Sequence, residues 1–135
     1  MSILKSLQTY LEGFEGMELQ PIMTDGVDSS VSYALQPSGN RKTITDILGN
    51  RTYVNNYVFY AKAYTGSEAD RQDNYEWLDE FFEWIEGNDE KEIYPDIKGY
   101  TVEGISATNV LLFDVDENGK GTYQIQIQLE LRKGR

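Results

Sequence analysis

The chain has 135 residues, enough for one domain with a real core, and its 10 Tyr, 5 Phe and 2 Trp can fill one. It contains neither Cys nor His, which excludes disulfides, thiolate metal sites, thiol nucleophiles and histidine-based acid–base chemistry. Its net charge of −11 argues against direct binding of nucleic-acid phosphates, since that needs patches of Lys and Arg.

Helical spacing of Ile3, Leu4, Leu7, Tyr10, Leu11 and Phe14 predicts a first helix over Ser2–Phe14, ended by Gly13 and Gly16. Met17–Gln20 alternates briefly before Pro21, and a polar loop follows over Thr24–Ser30. Val31, Tyr33 and Leu35 alternate with Ser32, Ala34 and Gln36 as in a strand with one buried face. Pro37-Ser38-Gly39-Asn40 is a turn cluster. Arg41–Leu48 reads as a strand, and Gly49-Asn50 turns the chain. Arg51–Tyr64 is rich in β-branched and aromatic residues, including Tyr60 and Tyr64. Both of its faces carry bulk, so it is either central in the sheet or pressed against another subunit.

The next segment carries the charge. Ser67–Asp96 holds 12 acids against Arg71 and Lys91, a net −10, which leaves −1 for the other 105 residues. At about 100° per residue, Tyr75, Trp77, Leu78, Phe81, Phe82, Trp84 and Ile85 fall on one half of a helix. Asp73, Glu76, Asp79, Glu80, Glu83 and Glu86 fall on the other. The expected helix is Ser67–Glu86, with Ser67 as N-cap, Asp70 in a capping box and Gly87-Asn88 as the stop. The acidic half reads as a solvated face or as a surface for a partner. Trp77 and Trp84 lie at the edge of the apolar half, which suits core-edge packing or an interface.

Gly87–Lys98 is a polar connector with Pro95, and Tyr100–Val115 with Thr122–Arg132 form a final hairpin. In the last strand Tyr123, Ile125, Ile127, Leu129 and Leu131 face one way and polar residues the other, the mark of an antiparallel sheet with one solvated face. The segments Thr24–Ser30 and Glu90–Lys98, being polar with few apolar anchors, are the candidates for mobility. The expected architecture is a single α+β domain over 1–135. It is a mostly antiparallel sheet with two helices packed on it, in the order α-β-β-β-α-β-β.

Tests for chemistry return little. Asp114-Val115-Asp116-Glu117-Asn118-Gly119 matches the start of a calcium loop, but its twelfth position is Ile125 inside the clearest strand. A hairpin turn using Asn118-Gly119 explains it better. Gly39-Asn40-Arg41-Lys42-Thr43 lacks the first spaced Gly of a phosphate loop. The pairs Glu76/Glu80 and Asp79/Glu83 lie on one helix face rather than across a cleft. The expectation is a non-catalytic chain with no cofactor and no metal. No run approaches the roughly 18 apolar residues of a membrane span. Met1-Ser2-Ile3-Leu4-Lys5 lacks the features of a signal peptide, so the chain is expected to be made and kept inside a cell.

The stretch Asn40–Arg51, then Tyr57–Tyr64, then the acidic Trp-containing helix resembles the minor capsid or tail-terminator proteins of siphophages and prophages of Gram-positive bacteria. The resemblance covers about half of the chain and implies a ring, commonly of six subunits, at the head-proximal end of the tail tube. Such a ring stops tube growth and joins tail to head. The implied partners are further copies of this chain, tail-tube proteins and head-completion proteins. The implied location is the bacterial cytoplasm during assembly, then the virion. The family supplies no catalytic residues. The candidate interface residues are Trp77, Trp84, Glu76, Asp79, Glu80, Glu83, Tyr60 and Tyr64. The competing reading is an acidic adaptor or inhibitor that mimics nucleic-acid charge and occupies a basic partner.

Overall fold

Alternating apolar residues build a sheet here, and two amphipathic helices cover one of its faces. The computed structural model describes residues 2–17, 22–24, 32–39, 41–116 and 119–133. Along the chain run α1 (Ile3–Leu11), β1 (Met23–Thr24), β2 (Ser32–Pro37), β3 (Lys42–Thr45), β4 (Arg51–Tyr64), α2 (Glu68–Glu90), β5 (Thr101–Val115) and β6 (Lys120–Lys133). The class is α+β with a mostly antiparallel sheet, as expected. The order gains one strand, β1, giving α-β-β-β-β-α-β-β. The two-residue β1 pairs parallel to β2 through Met23 and Ala34 and through Thr24 and Leu35. So short a strand has no periodicity of its own to reveal it.

The strands are ordered β1-β2-β4-β6-β5, with β3 beside the first residues of β4. β4 is central, one of the two readings its sequence allowed. One edge pairs with β3 over residues 51–54 and with β2 over residues 57–62, end to end. The other edge pairs with β6 over all 14 residues without a register shift. β5 lies outside β6 and shifts register three times. β4 and β5 therefore run parallel to each other with β6 between them, and α2 makes the crossover.

The core lies between the helices and the face carrying Tyr57, Phe59 and Ala61 of β4 and Tyr123, Ile125, Ile127, Leu129 and Leu131 of β6, all buried. Tyr33 and Leu35 extend it to β2, and Leu7, Leu11, Leu78, Phe81 and Ile85 close it from the helices. Among the described residues the opposite face is without a helix. It presents Gln124, Gln126, Gln128, Glu130 and Arg132 of β6 beside Val54, Val58 and Tyr60 of β4.

Both helices end differently from the sequence expectation. α1 stops at Leu11, and Gly13 and Phe14 then donate to the Tyr10 and Leu11 carbonyls, so the chain tightens instead of continuing to Phe14 as α-helix. The Ser67 hydroxyl caps α2 by accepting from the Asp70 N–H at 3.0 Å. α2 then runs through Gly87-Asn88 to Glu90, overriding the expected stop. Tertiary bonds hold that added turn. Asn88 donates to the Tyr10 hydroxyl at 3.1 Å, and the Asp89 carboxylate accepts the Ile105 N–H of β5 at 3.1 Å. Glu92, at φ 58, supplies the left-handed terminator: its N–H bonds the Asp89 carbonyl, and the Ile93 N–H bonds Asn88.

The connector after α2 is packed. Pro95 and Ile97 are buried, and Tyr94 bonds at three points, so the expected mobility of Glu90–Lys98 gives way to an anchored segment. Of the other candidate, Thr24–Ser30, only Thr24 lies within the described residues. The turn into β6 has Gly119 at φ 76, as expected for a hairpin, and Asn118 lies outside the described residues.

Candidate functional site

The sequence points first to α2. Glu76, Asp79, Glu80 and Glu83 are all exposed, and among the described residues none of the four has an ion-pair partner. The row stays unneutralised because the only base on the helix, Arg71, is committed elsewhere. Its guanidinium bonds Glu68 at 2.9 Å and the Thr65 carbonyl at 2.9 Å. Like charges at i,i+4 weaken a helix, so this face is held in place by the tertiary packing of the opposite face.

That packing engages both tryptophans. The Trp77 indole N–H donates to the Gly16 carbonyl at 2.7 Å. The ring stacks on Tyr33, with centroids 5.5 Å apart, and on Phe81, at 5.2 Å. Gly16 permits this approach: a Cβ there would sit 3.1 Å from the indole nitrogen and 2.7 Å from the Phe14 ring. Trp84 lies 5.2 Å from Tyr10 and 5.6 Å from Phe14. Of the two readings of this pair, internal contacts account for the core-edge one. Tyr60 is half-buried on the helix-free face and its hydroxyl accepts from Gln36 at 2.9 Å. Tyr64 is 56% exposed at the end of β4, beneath the Lys120 ammonium at 5.5 Å. The structure thus gathers the four acids on one face of α2 and leaves Tyr60 and Tyr64 on the sheet, apart from them.

Both ends of α2 are tied to strands. At the start, Asn74 donates to the Tyr64 carbonyl at 2.8 Å and to the Tyr123 hydroxyl at 3.2 Å. Thr65 donates its N–H to Gly119 at 2.7 Å. At the far end the Tyr94 hydroxyl lies 2.9 Å from Asp89 Oδ1 and 3.2 Å from the Asp89 and Glu103 carbonyls. Lost hydration, then the hydrogen bond and negative charge of Asp89, push the Tyr94 hydroxyl up to about 12.

A second feature lies at the β3–β4 turn. All four residues of β3 are exposed, Ile47 is fully exposed and Leu48 is 68% exposed. Yet the turn is closely held. The Asp46 carboxylate accepts the Leu48 N–H at 2.8 Å, the Asn50 N–H at 3.0 Å and the Asn50 side-chain amide at 3.3 Å. Gly49, at φ 85, closes the turn. Lost hydration pushes the Asp46 carboxyl up, but these bonds from Asn50 and Leu48 outweigh it and hold the group below its ordinary value. Sequence reading placed residues 41–48 in one strand. The signal it passed over is Asp46, whose side chain bonds the backbone two and four residues on and so ends the strand at Thr45.

A groove of about 460 Å³ runs between α2 and β5, with Phe82, Ile85, Ile105, Ala107 and Val110 in its wall and Glu86 and Asp89 at its rim. A smaller hollow of about 230 Å³ opens beside Trp77 and Tyr123. Among the described residues no three acids converge as metal ligands, and no helix is long and apolar enough to cross a membrane. Ile125, at the position where a calcium loop needs a carboxylate, is fully buried in the core. Neither a protein-family model nor a curated protein matches this chain.

Proposed function

We propose that the chain is a structural, non-catalytic protein of a phage tail, a terminator or minor capsid protein that forms a ring at the head-proximal end of the tube. The observation that carries this reading is the pairing of unlike, unpartnered surfaces on one domain. The acid row of α2 lies on the helix layer, and the exposed β3–β4 arm with its aliphatic tip lies at a sheet edge. A closed ring needs two different surfaces on each copy, because its contacts are head-to-tail. The resemblance of residues 40–51, of residues 57–64 and of the acidic helix to tail-terminator proteins supports the same reading. In it the chain works in the bacterial cytoplasm during assembly and then in the virion. Its partners are its own copies, tube proteins and head-completion proteins.

The deciding experiment is tube capping. Purified protein added to growing tail tubes should halt elongation and leave a ring at one end by electron microscopy. Tubes that lengthen unchecked in its presence would refute the role. A second reading, an acidic mimic of nucleic acid, is favoured by the unneutralised Glu76–Glu83 row. It expects tight binding to a basic protein that collapses with salt, and no effect on tubes.

A further inference from the structure

The β3–β4 arm and the α2–β5 groove flank the sheet on opposite sides. β3 pairs with β4 on the edge away from β6, and β5 lies beyond β6. The two are three strand spacings apart, about 14 Å, so the tip does not reach its own groove. They are complementary in kind. The tip offers two adjacent aliphatic side chains, Ile47 and Leu48, on a turn already locked by Asp46. The groove offers an apolar wall of Phe82, Ile85, Ile105, Ala107 and Val110. A preordered tip loses little freedom on seating, which favours binding.

They are complementary in charge as well. Arg51 of β4 stands directly opposite Lys133 of β6, both on the face of the sheet that carries Tyr57 and Phe59. Like charges directly opposite destabilise a strand pair, and among the described residues neither Arg51 nor Lys133 has an ion-pair partner. The groove rim carries Glu86, and Glu83 lies one turn away on α2, both exposed and without an ion-pair partner among the described residues. Each side holds the charge that the other lacks.

We propose that the β3–β4 tip of one copy seats Ile47 and Leu48 in the α2–β5 groove of the next copy, with Arg51 and Lys133 meeting the carboxylates of α2. The contact is heterologous, so it repeats around a ring. It rests on the ring-forming reading above and names the surfaces that make the ring.

The chain has no cysteine, so each introduced thiol is unique. The probe is an equimolar mixture of an Ile47→Cys sample and a Thr108→Cys sample under mild oxidation, free and on tail tubes. Ile47 and Thr108 are both exposed, and Thr108 lines the groove, so neither change threatens the fold. The expected result is a mixed disulfide several-fold more abundant than either homodimer, and a ladder of oligomers from the doubly substituted chain. Adding Leu48→Glu should abolish the excess while circular dichroism stays unchanged. A mixed species no more than about twice as abundant as either homodimer, the proportion that random pairing gives, free and on tubes, overturns the contact. Tube capping separates the two ideas. Capping without the mixed disulfide removes the contact and keeps the terminator role. The mixed disulfide without capping does the reverse.

Discussion

Glu92 is in a conformation that suits glycine better. Its φ of 58 lies in the left-handed region, where a side chain on Cβ costs about 1–2 kcal/mol, less the freedom that glycine adds to the unfolded chain. Glu92→Gly is therefore expected to raise stability by about 0.5–1 kcal/mol, read from the urea midpoint at unchanged slope. Tyr94 gives a test by pH. Its bonded form is the protonated one. The stability it contributes is complete below pH 10, the ordinary tyrosine value, and is lost as pH rises through about 12. Absorbance titration of the tyrosines should show a late-ionising group that Tyr94→Phe deletes, and that variant should lose less stability across this alkaline window.

At the scale of elements, α2 combines a poorly matched surface with a well-matched underside. Glu80 has Glu76 four residues before it and Glu83 three after, all exposed. Glu80→Lys turns both neighbours into attractive pairs, worth about 0.2–0.5 kcal/mol each. The variant should melt at a higher temperature. If the row faces a partner, the same variant should cap tubes poorly despite its added stability. A variant that is stabilised and still caps removes the row from the interface. The sheet has a comparable weak border in β5, a long edge strand whose register shifts interrupt the regular array that stray strands would join.

At the scale of the whole molecule, Trp84 packs on α1 and Phe14, and Trp77 joins Phe14 and Gly16 to Tyr33 of the sheet. Their fluorescence should therefore change together with the far-ultraviolet circular dichroism in one urea transition. A tryptophan transition at lower urea would mean that the helix layer detaches first. The fold was legible wherever a residue's fate depends on its near neighbours. From Tyr123 to Leu131 β6 alternates and its apolar residues are the buried ones, although Thr122, on the polar side by spacing, is buried too, and Ser67 caps α2 as its hydroxyl dictates. It was hidden wherever distant residues decide. Gly87-Asn88 is a local stop that bonds to Tyr10 and β5 override. β1 exists only because β2 offers it an edge. Of the candidate site, the acid row was legible from spacing alone. The exposed tip required seeing that β2 ends at Pro37, so nothing flanks β3 on its outer side among the described residues. The groove needed α2 and β5 brought together, which no local pattern encodes.

Because α2 is pinned at both ends, the spacing of its carboxylates is a constant of the molecule. Glu76 to Glu86 spans about 15 Å at 1.5 Å per residue. The screening length in physiological salt is about 8 Å, roughly half of that. The ends of the row are then electrically independent, and a partner meets two short acidic patches in series. In dilute salt the screening length outgrows the row, and the patches merge into one field that draws a cationic surface from further away.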